Sequence, residues 1–447
     1  MKLDRTRIIF IAIIALALLI GIGAFAYTRI NGLINDANKP EVEPGITPIA
    51  GQDNGNGNQP VVNLKSPDPI YAEGVDLNDG LPTYICGADA FGSYFTLQQM
   101  QVSGQDVENG FHLGIIPFDL NDDYAVTEEQ RTALLDSGQW NCLLTTLDSV
   151  ALKAPGVITA IVDESAGADQ LWGRDITTIN ELADKRIAFA QGSVGEYFTY
   201  YALSIARLNP RFDVTLVPQD SVADAVAAFN AGKADAVSAW EPDIYEAESS
   251  GGVSLLSSNQ LRIVIDVIVT SRQSISNNAD LVQNFHNAWF GTLKAQVENF
   301  DTAATQIAQW GNNDWSFVYP ESASDDFKAW LESVAQADLG DNSAVMRDTR
   351  PLVDRLNIAR RVWAASGKTV PDGEVDGLVN PNFVALAAQQ ASLQPNGIPV
   401  NDSFSIAAKL DLTGVSDSSD AATLAVLPCR DFQFLPESTE LTLEARR

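Results

Sequence analysis

Gly192-Ser193-Val194-Gly195 follow a short β-branched and aromatic run, Arg186–Ala190, and precede a helical pattern that reaches Leu208. Small residues between a strand and a helix leave first-turn N–H groups free, and the helix dipole favours a negative or electron-rich group there. Three chemistries compete for such a loop: a phosphate cradle, a serine nucleophile, or a clamp that holds a ligand and releases it unchanged. A Walker A loop requires Gly-Lys-Ser/Thr, which does not follow. A dinucleotide loop requires glycine where Val194 stands, and a nucleophile elbow requires glycine where Gln191 stands. The chain has two histidines, His112 and His286, so imidazole bases are scarce. Ser193 reads as an N-cap, serving either its own helix alone or a ligand at the helix start.

The surrounding pattern alternates strand and helix from Leu81 onward, which predicts parallel sheets and an α/β class. Strands are expected at Thr83–Cys86, Phe111–Pro117, Asn141–Thr145, Val157–Val162, Ile187–Ala190, Val214–Val217 and Ala236–Trp240, and the longest β-rich run is Leu261–Thr270. Helices are expected at Phe95–Gln101, Glu128–Ser137, Val194–Leu208 and Ser221–Ala231. A helical region then follows, over Asp280–Phe300, Thr302–Trp310, Ser324–Ala337, Thr349–Ala365 and Phe383–Leu393. "GSYFTL" at Gly92–Leu97 and "GEYFTY" at Gly195–Tyr200 share Gly-x-Tyr-Phe-Thr, each just after an expected strand. The echo suits two related halves that present helix starts alike.

Composition narrows the partners. A formal net charge of −30 repels phosphates and argues against nucleic acid. The hydrophobic share of 45% and charged share of 19% fit a globular chain. Cys86, Cys142 and Cys429 show no Cys-x-x-Cys and no zinc spacing, and neither a metal nor a cofactor is expected. Ile8–Ala26 is uncharged and long enough to span a bilayer, and Lys2, Arg5 and Arg7 before it place the N-terminus in the cytoplasm. An uncleaved anchor is expected; Ala24-Phe25-Ala26 also fits a small-x-small cleavage site, the alternative. Asn35 to Gly80 is rich in Pro, Gly, Asn and Asp without periodicity and reads as a flexible tether.

"ITTINELADKRIAFAQGSVGEYFTYYAL" followed by "VTLVPQDSVADAVAAFNAGKADAVSAWEPDIYEA" resembles the second lobe of a periplasmic substrate-binding protein of type 2. The similar group includes the nitrate, taurine, alkanesulfonate and pyrimidine-precursor binding components of ABC importers. The shared features run in order: Asn180-Glu181-Leu182, then Asp184-Lys185-Arg186 into a strand, the Gly-Ser loop, and "DAVAAFNAGKADAV" before Ala239-Trp240-Glu241-Pro242. "SGQWNCLLTTLDSVAL" has the first-lobe form of the same design. The resemblance covers about Leu81 to Ala388 and is strongest over Ile176 to Ser258.

What the resemblance implies is a two-lobed α/β fold with a helical C-terminal extension, closing on a ligand about two crossings near Val162–Thr177 and Leu261–Thr270. The implied divisions are an anchor or signal segment at 1–27, a linker at 28–80, a first lobe at 81–175, a second lobe at 176–262, a return with helical extension at 263–394, and a tail at 395–447. From the first lobe Phe91, Ser93, Thr145 and Thr146 would line the cleft; from the second, Gly192, Ser193, Val194, Trp240 and Glu241. Strand ends of open α/β sheets are where ligands sit, and Trp240 would offer a flat wall with one donor. Asp89 and Asp148 serve as helix caps or face the ligand, and Glu241 and Asp243 stabilise a helix start or meet a cationic group. A cleft edged by Asp89, Asp148, Glu241 and Asp243 suits a zwitterion or neutral heterocycle better than nitrate or a sulfonate. An ABC permease is the implied membrane partner and no catalytic role is assigned; the alternative is a ligand-sensing or structural envelope protein. Cys86 and Cys142 would lie on adjacent parallel strands, which rarely give disulfide geometry, so buried free thiols are expected.

The tail "VLPCRDFQFLPESTELTLEARR" resembles the opening strand and helix of the peptidoglycan-binding domain named after outer membrane protein A. Either the tail is the start of such a domain, cut off before counterparts of that family's wall-binding aspartate and arginine, or it is an unrelated hairpin; no wall-binding role is assigned.

Overall fold

The computed structural model describes residues 65–393, apart from 119 and 312. The apolar run Ile8–Ala26, the linker up to 64 and the tail from 394 lie outside the described residues. Among the described residues no helix is long and apolar enough to cross a membrane.

The chain opens with β1 (Thr83–Ala88), α1 (Thr96–Ser103), β2 (His112–Pro117), α2 (Glu128–Asp136), β3 (Cys142–Thr146), α3 (Leu147–Lys153) and β4 (Val157–Ser165). Local chemistry marks these boundaries. Gly104 at φ +74° ends α1, where a side chain would be strained, and a Thr127–Gln130 capping box starts α2. β1 lies between β2 and β3, all three parallel. The chain then leaves for a second sheet: β5 (Asp169–Arg174), β6 (Arg186–Ala190), α4 (Val194–Ala206), β7 (Thr215–Gln219), α5 (Val222–Asn230), β8 (Ala236–Trp240) and β9 (Gly252–Ser257). Strand order there is β7-β6-β8-β5-β9, with β6 parallel to both its neighbours and β5 antiparallel to both of its own.

The chain returns through a helical turn at Ser258–Leu261 into β10 (Ile265–Thr270), which lies antiparallel between β3 and β4. Then come α6 (Ala279–Glu298), α7 (Phe300–Ala308), α8 (Ala323–Leu331), β11 (Val334–Gln336), α9 (Leu339–Arg347), α10 (Arg350–Ser366) and α11 (Asn382–Ala387). The first sheet has the order β11-β4-β10-β3-β1-β2. On α6, Phe285, Trp289 and Leu293 recur at helical spacing and are buried, with Phe285 stacked 4.5 Å from Tyr84 of β1. The helical region therefore covers the first sheet rather than forming a separate body.

Four expectations need correction. The outward crossing is only Ala166–Ala168, so "DQLWGR" is a strand of the second sheet rather than the end of the first lobe. Small residues permit the tight turn, with Gly167 at φ +145°. The return crossing is Ser258–Val264; a Ser257–Gln260 capping box makes its first residues helical, and the strand starts only at Ile265. Ser324–Ala337 is not one helix: it ends at Leu331, because Val334–Gln336 pairs with Ser165–Asp163 at the edge of the first sheet.

The fourth correction concerns the thiols. Cys86 and Cys142 are joined in a disulfide, with Cα atoms 4.6 Å apart. The register places them directly side by side on β1 and β3, inside the usual range for the bond. Both are fully buried, so the bond pins two central strands. Of the three cysteines in the chain, at most one should then react with a thiol reagent in denaturant without reductant. The Cys86→Ala/Cys142→Ala double variant should lose about 2–4 kcal/mol of unfolding free energy. Three reactive thiols before reduction would show that the bond is not formed.

Candidate functional site

The Gly-Ser loop is built as the sequence suggests but is already occupied by its own side chains. Gly192 takes φ +78°, and Ser193 caps α4: its Oγ accepts from Gly195 N–H at 3.1 Å and donates to Ala190 O at 2.7 Å. Gly195 is needed for packing, since a Cβ there would stand 2.9 Å from Ser238 O on β8. Gly192 N–H donates to the Glu196 carboxylate at 2.7 Å. The same carboxylate accepts from Tyr200 Oη at 2.7 Å and pairs with Lys368 at 2.8 Å. The Glu196 carboxylate thus takes the Gly192 N–H, and Ser193 takes that of Gly195. Val194 is buried beside the loop.

Neither histidine serves Ser193. His112 Nε2 lies 2.9 Å from Asp79 Oδ1 near the start of β2. His286 is buried on α6, stacked on Phe383, and burial pushes its pKa down to about 4.

On the first-lobe side, Phe91 is buried against Tyr94 and Trp330, at 5.5 and 6.1 Å between ring centres. Thr145 and Thr146 are half-buried at the end of β3, with Thr146 Oγ1 donating to Ser149 Oγ at 3.2 Å. Ser93 is fully buried, and its hydroxyl faces the Asp163 carboxyl without a well-formed hydrogen bond. At the end of β8, Trp240 is half-buried and pairs in register with Asp169 of β5. Glu241 accepts from the hydroxyls of Tyr245 and, at 2.7 Å, Ser333. It therefore ties the second sheet to the segment entering β11, on the wall of a recess of about 360 Å³. Asp89 lies 3.6 Å from Arg131 and is thus partly compensated.

The densest chemistry lies in residues the sequence reading passed over, next to one it named. Asp266 on β10 stands in register between Thr146 of β3 and Asp163 of β4. Tyr94 Oη donates to Asp266, and Asp148 lies in the first turn of α3. Asp169 opens β5 from the other sheet. These four carboxylates are 0–4% exposed. No well-formed hydrogen bond reaches the carboxylate oxygens of Asp148 or Asp163; the Thr146 hydroxyl faces the first and the Ser93 hydroxyl the second. Among the described residues no Lys or Arg pairs with any of the four.

Burial comes first in raising each of these acids, by penalising the charged form. It lifts Asp148 to about 7, with Asp266 and Glu128 adding repulsion against the Thr146 hydroxyl. Asp169 rises to about 8, with Asp266, Asp148 and Glu241 as repelling neighbours. Asp266 rises to about 6, held down in part by Tyr94. Asp163 moves well upward, by burial and then by the charge of Asp266. The signal in the sequence was an acid inside an apolar strand: Asp163 in "VITAIVDES" and Asp266 in "IVIDVIVT".

α10 joins the two sides. Trp363 is fully buried against Tyr197 and Tyr200 of α4, at 5.7 and 6.0 Å, and its Nε1 donates to Asp148 O on α3 at 3.0 Å. Lys368, just beyond α10, supplies the cation on Glu196.

Comparison with known proteins agrees with this architecture. A family model described as NMT1/THI5 like matches residues 157–302, which run from β4 through the whole second sheet into α7. No curated protein matches the chain. Among solved structures, one is described as the periplasmic sulfonate-binding component of an ABC transporter from Methylobacillus flagellatus KT. It shares 16% identity, with 71% of this chain and 98% of that one covered, at a TM-score of 0.53. The zinc-bound ligand-binding component of an ABC-type import system from Staphylococcus aureus shares 14%, with 69% and 100% covered, at 0.50. The periplasmic nitrate-binding protein of Synechocystis PCC 6803 shares 12%, with 72% and 91% covered, at 0.48. The likeness read from the sequence thus holds for the fold, a two-sheet periplasmic-binding-protein architecture.

The raised acids set a sign for stability against pH. A carboxyl whose folded pKa exceeds its unfolded value of about 4 binds more protons when folded, so stability falls as pH climbs from that value through the folded one. For Asp148 the window runs from about 4 to about 7. Asp148→Asn should therefore lose less stability than the parent between pH 5 and pH 8, by on the order of 3 kcal/mol, in urea titrations at the two pH values. Parallel curves for the two proteins would show that Asp148 carries no such shift.

Proposed function

We propose that the chain is an extracytoplasmic solute-binding protein of an ABC-type importer, which captures a small polar molecule between two lobes and presents it to a membrane permease. One observation carries the reading: two separate sheets are joined by two short crossings, and polar residues from both sheets meet beside those crossings. A ligand that touches both lobes only when they are closed favours closure. Ile8–Ala26 would tether the protein to the cytoplasmic membrane, with 28–80 as spacer. Gly192–Val194 and Trp240 would form one wall of the cleft, Phe91, Ser93, Thr145 and Thr146 the other, and Glu241 would sit at the hinge edge. A binding role rather than catalysis is supported by Ser193, whose hydroxyl is engaged with Ala190 O and has no imidazole beside it.

A thermal-shift screen of the full-length protein tests this, using nitrate, ethanesulfonate, amino acids, pyrimidines and small amines. At least one compound should raise the melting temperature, corresponding to about 2.7 kcal/mol at a hundredfold excess over its Kd. Trp240→Ala should remove most of that shift while leaving the ligand-free melting temperature within a few degrees. A screen in which no compound stabilises the protein would sink the reading, and an unchanged shift in the variant would move the cleft elsewhere.

A further inference from the structure

We propose that the last turn of α10, with Lys368 just beyond it, is a strap that holds the two lobes together in the ligand-free protein, so that the cleft opens only when the strap lets go of α4. The proposal rests on the solute-binding reading above only for what the opening admits.

A strap must be fixed to one lobe and reach the other. α10 is fixed to the first lobe on both sides of the chain. Before it, Asn342 on α9 accepts from Ile161 N–H of β4 at 2.8 Å and donates to Ile161 O at 2.9 Å. After it, Val379 bridges to Ile158 of β4, and Asn380 N–H donates to Ile158 O at 2.8 Å. Between these points Leu352, Leu356 and Ala359 are fully buried, and Trp363 Nε1 donates to Asp148 O on α3. With both flanks tied to β4, α10 does not travel with the second lobe.

Its far end nonetheless grips the second lobe. The Trp363 ring packs on Tyr197 and Tyr200, and Lys368 meets the Glu196 carboxylate, which is 2% exposed. The Ser366 hydroxyl faces that of Tyr200. The Arg211 guanidinium lies so close against Gly367 that no Cβ would fit there, and Gly367 also ends α10 at φ +93°. Glu196, Tyr197 and Tyr200 share one face of the first turns of α4. α3 starts after Thr146 and α4 after the Gly-Ser loop. Trp363 therefore stands between the helices that begin at the two proposed cleft walls. All these contacts come from the chain's own residues, so they hold the lobes without a solute.

The strap also has leverage. The order β6-β8-β5 puts the strand before α4 two places from β5, where the outward crossing enters. At about 4.8 Å per strand, that is an arm of roughly 10 Å. Lobes turning about the crossings carry Glu196 and the tyrosines away from Lys368 and Trp363. That motion takes the cation from a buried carboxylate and wets a dry aromatic face, and both changes are costly.

Double electron–electron resonance on the full-length protein tests the strap. Nitroxides are placed at Asp123→Cys after β2 and Asp220→Cys after β7, with Cys429→Ser removing the cysteine outside the disulfide. Both label sites are exposed and follow edge strands of the two sheets. Without solute the parent should give one narrow distance. Lys368→Met should add a longer distance and raise its share at least tenfold over the parent, and Trp363→Phe should do the same. Lys153→Met removes an ion pair to Glu129 within the first lobe and should leave the single distance unchanged. Trp363→Phe decides if Lys368→Met does not fold. A parent that already shows both distances, a Lys368→Met protein that keeps the narrow one alone, or a Lys153→Met protein that broadens equally overturns the strap. The cleft's capacity for a solute is decided separately, by the thermal-shift screen.

Discussion

The Ser258 hydroxyl accepts from the N–H groups of Gly167 at 2.8 Å and Asp169 at 3.2 Å, and lies 2.7 Å from the Ser165 hydroxyl. A serine has two lone pairs and one proton. With both lone pairs facing N–H groups, Ser258 is left to donate to Ser165. Ser165 can then direct its own proton to the Asp169 side chain, whose charge it helps to hold. One residue on the return crossing thus fixes the turn of the outward crossing. The disposition of the two sheets follows from that knot, together with the bonds from Ala166 and Ala168 N–H to Ser333 O at 2.8 and 3.3 Å. The chain of hydroxyls ends on a member of the acidic group, so the hinge and the polar junction share a residue.

The two sides of the junction handle buried charge in opposite ways. Glu196 has a main-chain donor, a phenol and an ammonium around it, and is a settled structural group. Asp148 and Asp163 have no such partners. Apolar packing holds the unsettled side in place: Ile265, Val267, Ile268 and Val269 of β10 are fully buried between β3 and β4, and the disulfide pins β3 to β1. α10 then spans both sides through Trp363 and the Lys368–Glu196 pair. The apolar packing of the sheets offsets the cost of burying these carboxylates at their ends.

The strand–helix alternation was legible because each strand is a short apolar run between caps and glycines. Ala236–Trp240 was expected within those bounds and is found there. Short elements at lobe edges were not legible. β5, β9 and β11 have mixed sequences whose strand character comes from pairing across the sheet, as Val334–Gln336 shows against β4. Parallel neighbours argued against a Cys86–Cys142 bond, but the direct register that brings the two Cα atoms to 4.6 Å is a tertiary fact. At the candidate site, the Gly-Ser turn and its cap were readable from residue type. That Glu196 folds back onto Gly192 was not, because a first-turn glutamate looks like an ordinary helix stabiliser. Asp163 and Asp266 carried a visible signal as acids inside apolar strands, but their adjacency depends on β10 inserting between β3 and β4.

The acidity of the whole chain and the acidity of the junction are different matters. The 58 aspartates and glutamates against 28 lysines and arginines give the net charge of −30, yet a charge in water is screened within ~10 Å at ordinary salt and scarcely reports on a distant ligand. The four buried acids lie where the effective dielectric is lower and each raises or lowers its neighbours' charging. Their state is decided by one another and by whatever enters among them. Burial raises Asp148 and Asp169 to about 7 and 8, so their charged forms are disfavoured near neutral pH. Whatever selectivity this junction has therefore comes from burial acting on a handful of residues, and not from the composition that first draws the eye.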